Sequence, residues 1–162
     1  MEVKIMMAIS GSGKSTWIKN DAVEKKEICS ADLFFMDDGD YKFDRTKLGE
    51  AHGHCLKMFI KKTFSAKGNA EMGKKIAPHL NRNPDVLYVD NTNTTEGEIA
   101  PYIAIARAYG IEPQIIHLNV LPEIAGPRNT HGVPQKSIEN MYRNIERLKK
   151  HWPHHWPTIT EV

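Results

Sequence analysis

The apolar positions of the chain fall into short unbroken runs, separated by polar, charged or glycine-bearing segments. Val3–Ile9 is the first run. An apolar stretch of this kind, bounded by turn residues, predicts a strand buried on both faces, as at the centre of a parallel sheet. Val86–Asp90, which reads VLYVD, predicts a second such strand. Glu27–Ser30 and Gln114–Val120 predict two more. Between these runs the spacing of apolar residues lengthens to that of helices. A helix is expected from Ser15 to about Val23. Another is expected from Arg45 to about Phe64, with Asp44 as its N-cap. Leu48, Ala51, Cys55, Met58 and Phe59 form its buried stripe, and His52 lies at the edge of that stripe.

A further short helix is predicted near Ala70–Leu80. Thr95 and Glu98 have capping-box spacing and predict a helix start there. That helix should run to Tyr109 and end at Gly110, with Pro101 producing a kink or a second start. Pro134–Lys149 is the last expected helix, burying Ile138, Met141, Tyr142, Ile145 and Leu148. Three segments fit neither period. Phe35–Asp44 is expected to be an irregular acidic loop. Leu121–Gly132, with Arg128 and His131 among prolines and glycines, is expected to be a mobile lid. The tail HWPHHWPTITEV is expected to pack as a strap, with histidine–metal binding as the alternative.

Strands alternating with helices predict an α/β fold with a mostly parallel sheet of about four or five strands, flanked by helices. The 162 residues suit a single domain, 1–162, able to bury a core. A hydrophobic content of 40% and a net charge of +2 are ordinary, so charge alone does not point to nucleic acid. Cys29 and Cys55 have no metal spacing and predict free thiols in a reducing, cytoplasmic setting. No apolar run has the length of a membrane span, and no signal-peptide pattern is expected at the N-terminus.

The chemistry concentrates where the first strand ends. Ala8–Thr16 reads AISGSGKST. Strand, glycine-bearing loop and helix start are the context of a phosphate-binding P-loop. Gly11 and Gly13 let the backbone turn its N–H groups into one concavity, and the helix adds its positive dipole end. Ser10, Gly11, Ser12, Gly13, Lys14, Ser15 and Thr16 are the expected nucleotide-binding residues. Lys14 would reach the β- and γ-phosphates of ATP, and the Ser15 hydroxyl would hold Mg²⁺. Ala8 stands where the motif has glycine. Asp32 and Asp90 each follow a predicted strand, at the sheet edge where α/β proteins bind ligands. Asp90 has the place of a second Mg²⁺ ligand; the alternative is that Asp90, Asn91 and Asn93 make turns and caps. Residues 57–82 hold seven basic side chains, Lys57, Lys61, Lys62, Lys67, Lys74, Lys75 and Arg82, against one acid, Glu71. They would track a phosphate backbone or form a solvated face.

Taken in order, GSGKSTW, a strand followed by Asp32, DNTN at a later strand end, and RN…GVP leading into a helix resemble the polynucleotide 5′-hydroxyl kinase family. FMDDGDYKFDRTKLGEAH and DNTNTT are similar to the related kinase-like domains of cellular proteins. The resemblance spans nearly the whole chain and implies a P-loop kinase-like fold with a lid at about 121–132. It implies phosphoryl transfer from ATP, with Mg²⁺, to the 5′-hydroxyl of a nucleic acid end. On this resemblance Lys14, Asp32 and Arg128 are the catalytic residues. Asp32 accepts the proton of the attacking hydroxyl, and Arg128 clamps the donor phosphates from the lid. Asn91 and Thr92 fall beside the site. The family's Asp-Asp-Tyr with a nearby arginine is replaced by Asp32-Leu33-Phe34-Phe35, and His131 is the nearest basic group after Arg128.

On the acceptor side, Lys42, Lys47 and His52 would meet phosphates, and Phe34, Phe35, Tyr41 or Phe43 would stack a base or pack in the core. Two other readings stand beside the first. One is a kinase of a small molecule, nucleoside or modified base. The other is a nucleotide-binding NTPase or interaction module without transfer activity, against which the pairing of Asp32 with Arg128 argues.

Overall fold

The computed structural model describes the backbone of residues 1–76 and 84–162, and the side chains of all of these except 67–76. In chain order the elements are β1 (Glu2–Met7), α1 (Lys14–Asn20) and β2 (Lys26–Cys29), then a 3₁₀ turn (Ala31–Phe35) and the short strands β3 (Met36–Asp37) and β4 (Asp40–Tyr41). A second 3₁₀ turn (Arg45–Lys47) leads into α2 (Leu48–Ile76). β5 (Val86–Val89), α3 (Glu96–Ala108), β6 (Gln114–His117), α4 (Pro122–Arg128), α5 (Gln135–Lys150) and β7 (Ile159–Glu161) complete the chain.

The main sheet has five strands in the order β2–β5–β1–β6–β7, and every pair is parallel. β1 is the central strand, with Ile5 facing Val89 on one side and Ile115 on the other. The chain leaves β1 for one edge and later returns to its other side. The carboxyl end of β1 is therefore the topological switch point, where such sheets bind ligands.

The alternation along β1 builds two cores. Val3, Ile5 and Met7 point to the face covered by α2, α3 and α5, where Cys55, Phe59, Ile99, Tyr102, Ile138 and Ile145 are buried with them. Met6 and Ala8 point to the other face, against Ile18 of α1, Tyr88, Ile116 and Leu118. This second core is small and has a polar margin. Lys4 pairs with Asp21 at 2.6 Å, and the Tyr88 hydroxyl donates to the same carboxylate at 2.5 Å. Lys26 donates to the Ile18, Lys19 and Asp21 carbonyls and so caps the end of α1. Such a cation at a helix C-terminus satisfies orphan carbonyls and suits the dipole.

The structure departs from the sequence reading in several places. α1 stops at Asn20, short of Val23. The 35–44 segment is only partly irregular: residues 42–44 carry no regular structure, while β3 and β4 pair antiparallel around Asp38 and Gly39, both at positive φ (48° and 93°). Aspartate and glycine are the residues that tolerate this conformation in a two-residue hairpin loop. The helix expected from Arg45 begins as a 3₁₀ turn, capped by Asp44, whose carboxylate accepts from Thr46 N at 2.9 Å. α2 then continues to Ile76, so no separate helix starts at Ala70; the remainder of that expected helix, and Arg82, lie outside the described residues.

Pro101 does not break α3, which is continuous from Glu96. The capping box is present, with Glu98 accepting from Thr94 N and Thr95 N. Gly110 ends the helix at φ +74°. The 121–132 segment contains a helix, α4, started by Pro122 at a position where proline's missing N–H costs nothing. The tail does more than strap: Ile159–Glu161 adds an edge strand parallel to β6. No described helix is long and apolar enough to cross a membrane.

Candidate functional site

The loop from Ala8 to Gly13 joins β1 to α1 at the switch point. Ala8 is fully buried, is not at positive φ, and donates its N–H to the Thr92 carbonyl at 2.9 Å. Alanine therefore fits where the motif has glycine. Gly11 and Gly13 are both left-handed, at φ +81° and +93°. Their surroundings differ. A Cβ on Gly13 would meet nothing within 4 Å, but one on Gly11 would lie 2.1 Å from the Ala125 carbonyl oxygen of α4. Helix α4 is thus packed directly on the loop, a contact that only glycine allows.

A prediction follows from that contrast. Both alanine substitutions carry backbone strain of about 1–2 kcal/mol. Gly11→Ala adds a clash of backbone against backbone. It is expected to destabilise the fold by about 1–3 kcal/mol more than Gly13→Ala in urea unfolding. Equal losses would mean that α4 lifts from the loop at no cost.

Lys14 and Ser15 open α1. Burial pushes the Lys14 ammonium below its ordinary value, and the carboxylates of Asp90 and then Asp32 pull it back up. An ammonium partly withdrawn from water in this way gains from any further anion placed beside it. The Ser15 hydroxyl donates to Asp90 Oδ2 at 3.0 Å. The other oxygen, Asp90 Oδ1, is buried and has no partner among the described residues, and the same holds for the Ser12 hydroxyl in the loop. Burial raises the Asp90 carboxyl above its usual range, Lys14 and Ser15 oppose this, Asp32 adds to it, and His131 opposes it. An orphaned carboxylate oxygen beside a serine hydroxyl fits a hard divalent cation such as Mg²⁺, which takes oxygen ligands.

Asp32 sits one residue into the 3₁₀ turn after β2, and its side chain is exposed. Two side chains fasten that turn to the end of β5. The Ser30 hydroxyl donates to the Asp90 carbonyl at 3.0 Å and accepts from Asp32 N at 3.2 Å. Asn91 is buried; its Oδ1 accepts from Ala31 N at 2.8 Å, and its Nδ2 donates to Cys55 Sγ and Tyr102 Oη, each at 3.3 Å. Removing that amide would strand a buried N–H, at a cost of about 1–3 kcal/mol. Asn91 and Asn93 thus make structural ties, Asn93 through Nδ2 to the Met6 carbonyl at 2.7 Å. Sequence reasoning missed the specific role of Asn91, because its partners are scattered along the chain.

The remaining expected residues divide. Arg128 ends α4 with an exposed side chain that has no hydrogen bond or ion pair among the described residues. It lies between Ala125 and Asn129, the two residues whose backbone crosses Gly11. Ser10 is turned toward Met141 Sδ, 3.7 Å away. Thr16 is exposed on α1. Phe35 is core, whereas Phe43 is half exposed. Lys42 is paired with Asp37 at 2.6 Å, and Lys62 with Glu27. Of the basic run, Lys57 and Lys61 are exposed on α2; the side chains of Lys67, Lys74 and Lys75 lie outside the described residues. Among the described residues no group of three or more His, Cys, Asp or Glu is gathered for a metal ion, so the histidines of the tail do not form such a site.

The fold is matched by solved structures. A chain in the structure of the Pnkp1/Rnl/Hen1 RNA repair complex superposes with a TM-score of 0.65 at 14% identity, over 94% of this chain and 46% of that one. A gluconokinase from Sinorhizobium meliloti 1021 superposes with a TM-score of 0.51 at 14% identity, over 99% of this chain and 82% of the other. The fold is P-loop kinase-like. No protein-family model matches the chain. Among curated proteins, human NEDD4-binding protein 2 is 28% identical over 151 residues, 89% of this chain. The chain spans only 8% of that relative's length. Within a P-loop kinase-like fold, the loop at the end of β1 and the carboxylates after β2 and β5 occupy the ligand edge of the sheet.

Proposed function

We propose that the chain is an ATP-dependent kinase that transfers a phosphoryl group to a hydroxyl, and that its acceptor is the 5′-hydroxyl of a nucleic acid end. One observation carries the phosphotransfer reading. Lys14, the Ser15–Asp90 pair and Asp32 share one electrostatic neighbourhood at the switch point, brought there from α1, the end of β5 and the turn after β2. In this reading the loop N–H groups and Lys14 hold the triphosphate, and the exposed Asp32 carboxylate takes the acceptor's proton. Ser15 and Asp90 would hold Mg²⁺. When bound, the metal would neutralise charge on the donor phosphates. Arg128 would add positive charge from the lid side as α4 covers the loop. Lys14, Asp32 and Arg128 are the proposed catalytic residues.

The nucleic-acid acceptor is supported by the likeness to a chain of an RNA repair complex and by the exposed Lys57 and Lys61. A small hydroxyl compound is the second reading. It is favoured by the engagement of Lys62 with Glu27 and of Lys42 with Asp37, which leaves fewer free cations.

Labelled ATP and Mg²⁺, offered with 5′-hydroxyl oligonucleotides, nucleosides and small hydroxyl compounds, test the choice. Fastest transfer to oligonucleotides is expected. Its Michaelis constant should rise with salt, with a log–log slope near −0.7 for each single-strand phosphate neutralised. Charge reversal at Lys57 and Lys61 should flatten that slope. A Michaelis constant indifferent to salt would favour the small acceptor.

A further inference from the structure

Asp32 is exposed, yet its carboxylate is not left to swing freely. The Tyr41 hydroxyl, carried on β4, donates to Asp32 Oδ1 at 3.0 Å. Among the described residues it is the one side-chain donor to that carboxylate. The other ionisable groups that face Asp32 act at longer range: Lys14 from α1, Asp90 from the end of β5, and Cys55 from α2. Burial, followed by the charge of Asp32, pushes the Tyr41 phenol well above its ordinary value, so it remains a donor at neutral pH.

Tyr41 is itself held on three sides. Phe35 meets its ring edge-on at 6.1 Å, and Phe43 stacks at 6.4 Å. The third contact comes from the far side of the site. The ring of His131, from the turn that follows α4, lies 5.0 Å from the Tyr41 ring. That turn is built on Asn129, which donates to the Val133 carbonyl at 2.8 Å and accepts from His131 N at 3.2 Å. Asn129 also flanks Gly11, so one short segment touches both the phosphate loop and the partner of Asp32.

We propose that Tyr41 is a positioning residue for the Asp32 carboxylate, and that the 129–133 turn seats Tyr41 for that role through the His131 ring. The inference rests on the reading of Asp32 as the base. A carboxylate that must take a proton from an incoming hydroxyl has to point at it, and near-attack geometry is sensitive to small misplacements. Tyr41 would fix the direction. The His131 contact would make that direction depend on α4 being in place over the loop.

The test is a double-mutant cycle in single-turnover transfer, with saturating ATP and whichever hydroxyl acceptor turns over fastest. Tyr41→Phe keeps the ring and its packing but loses the hydroxyl. It is expected to slow transfer by about tenfold or more, with ATP affinity and thermal midpoint close to the parent. In an Asp32→Asn background the same change should alter the rate by less than about threefold, because the base it positions is already gone. His131→Ala should share much of the loss, and His131→Phe should restore most of it.

Parental rates in Tyr41→Phe, beside a slow Asp32→Asn, would overturn the positioning role and leave the base assignment standing. Equal losses from Tyr41→Phe in both backgrounds would do the same, since Tyr41 would then act on its own. A His131→Ala variant at the parental rate would remove the seating of Tyr41 by the turn. Parental transfer in Asp32→Asn, or no transfer to any acceptor, would overturn base and positioning together.

Discussion

Asp32→Asn is expected to lower single-turnover phosphoryl transfer by about 10²–10⁴-fold, while ATP affinity stays within a few-fold of the parent. The substitution is close to isosteric. An asparagine oxygen can still accept from Tyr41, and the Ser30 and Asn91 ties that place the turn do not involve the carboxylate. What is lost is the negative charge and the ability to take a proton. The triphosphate contacts proposed here are made elsewhere, by the loop and Lys14. Titration with a fluorescent ATP analogue beside the transfer assay separates the two effects. A joint loss of binding and transfer would make Asp32 a metal ligand or a structural residue. A loss of neither would move attention to Asp37, Asp38 and Asp90. Arg128→Ala makes a useful companion, because on the proposed reading charge lost from the end of α4 should weaken transfer and ATP binding together.

The second large effect is expected at Lys14. Lys14→Ala should reduce transfer by 10²-fold or more and weaken ATP binding, since a charge-assisted phosphate contact in a water-poor site is lost. The fold supplies a second readout. Burial works against this ammonium, while its charge offsets that of Asp90, whose carboxyl burial already pushes up. Removing it relieves the first cost and adds to the second, so the nucleotide-free protein should remain folded with little net change in its thermal or urea midpoint, and the loss should show in binding and transfer. Near-normal turnover in a folded Lys14→Ala would end the P-loop reading.

Much of the framework was legible because it rests on local signals. The unbroken apolar runs at Val3 and Val86 became buried parallel strands, and the Thr95–Glu98 spacing became a capping box. The loop from Ser10 to Thr16 announced itself by its glycines and its place between strand and helix. What stayed hidden depends on contacts between distant parts of the chain. β7 is a strand because β6 offers it an edge; its few residues follow a proline-broken tail and carry no pattern of their own. The β3–β4 hairpin lies in an acid-rich stretch without alternating apolar residues, so only Asp38-Gly39 signalled it. α4 was obscured by its own prolines and glycine. The bonds from Asn91 to Ala31 and from Tyr41 to Asp32 join residues that no spacing rule relates.

The tie between the Asp32 turn and the end of β5 has a consequence for how such a chain can diversify. Ser30 and Asn91 anchor the turn through the backbone at Ala31 and Asp32, ahead of Leu33 and Met36, whose side chains are both 46% exposed. The anchoring is therefore indifferent to what those two side chains are. If the proposed acceptor meets that exposed surface, selection or a protein engineer can rewrite it while the carboxylate keeps its address. Libraries confined to positions 33 and 36 check this: a changed preference among hydroxyl compounds with transfer retained is the expected result, a modularity built from one serine and one asparagine.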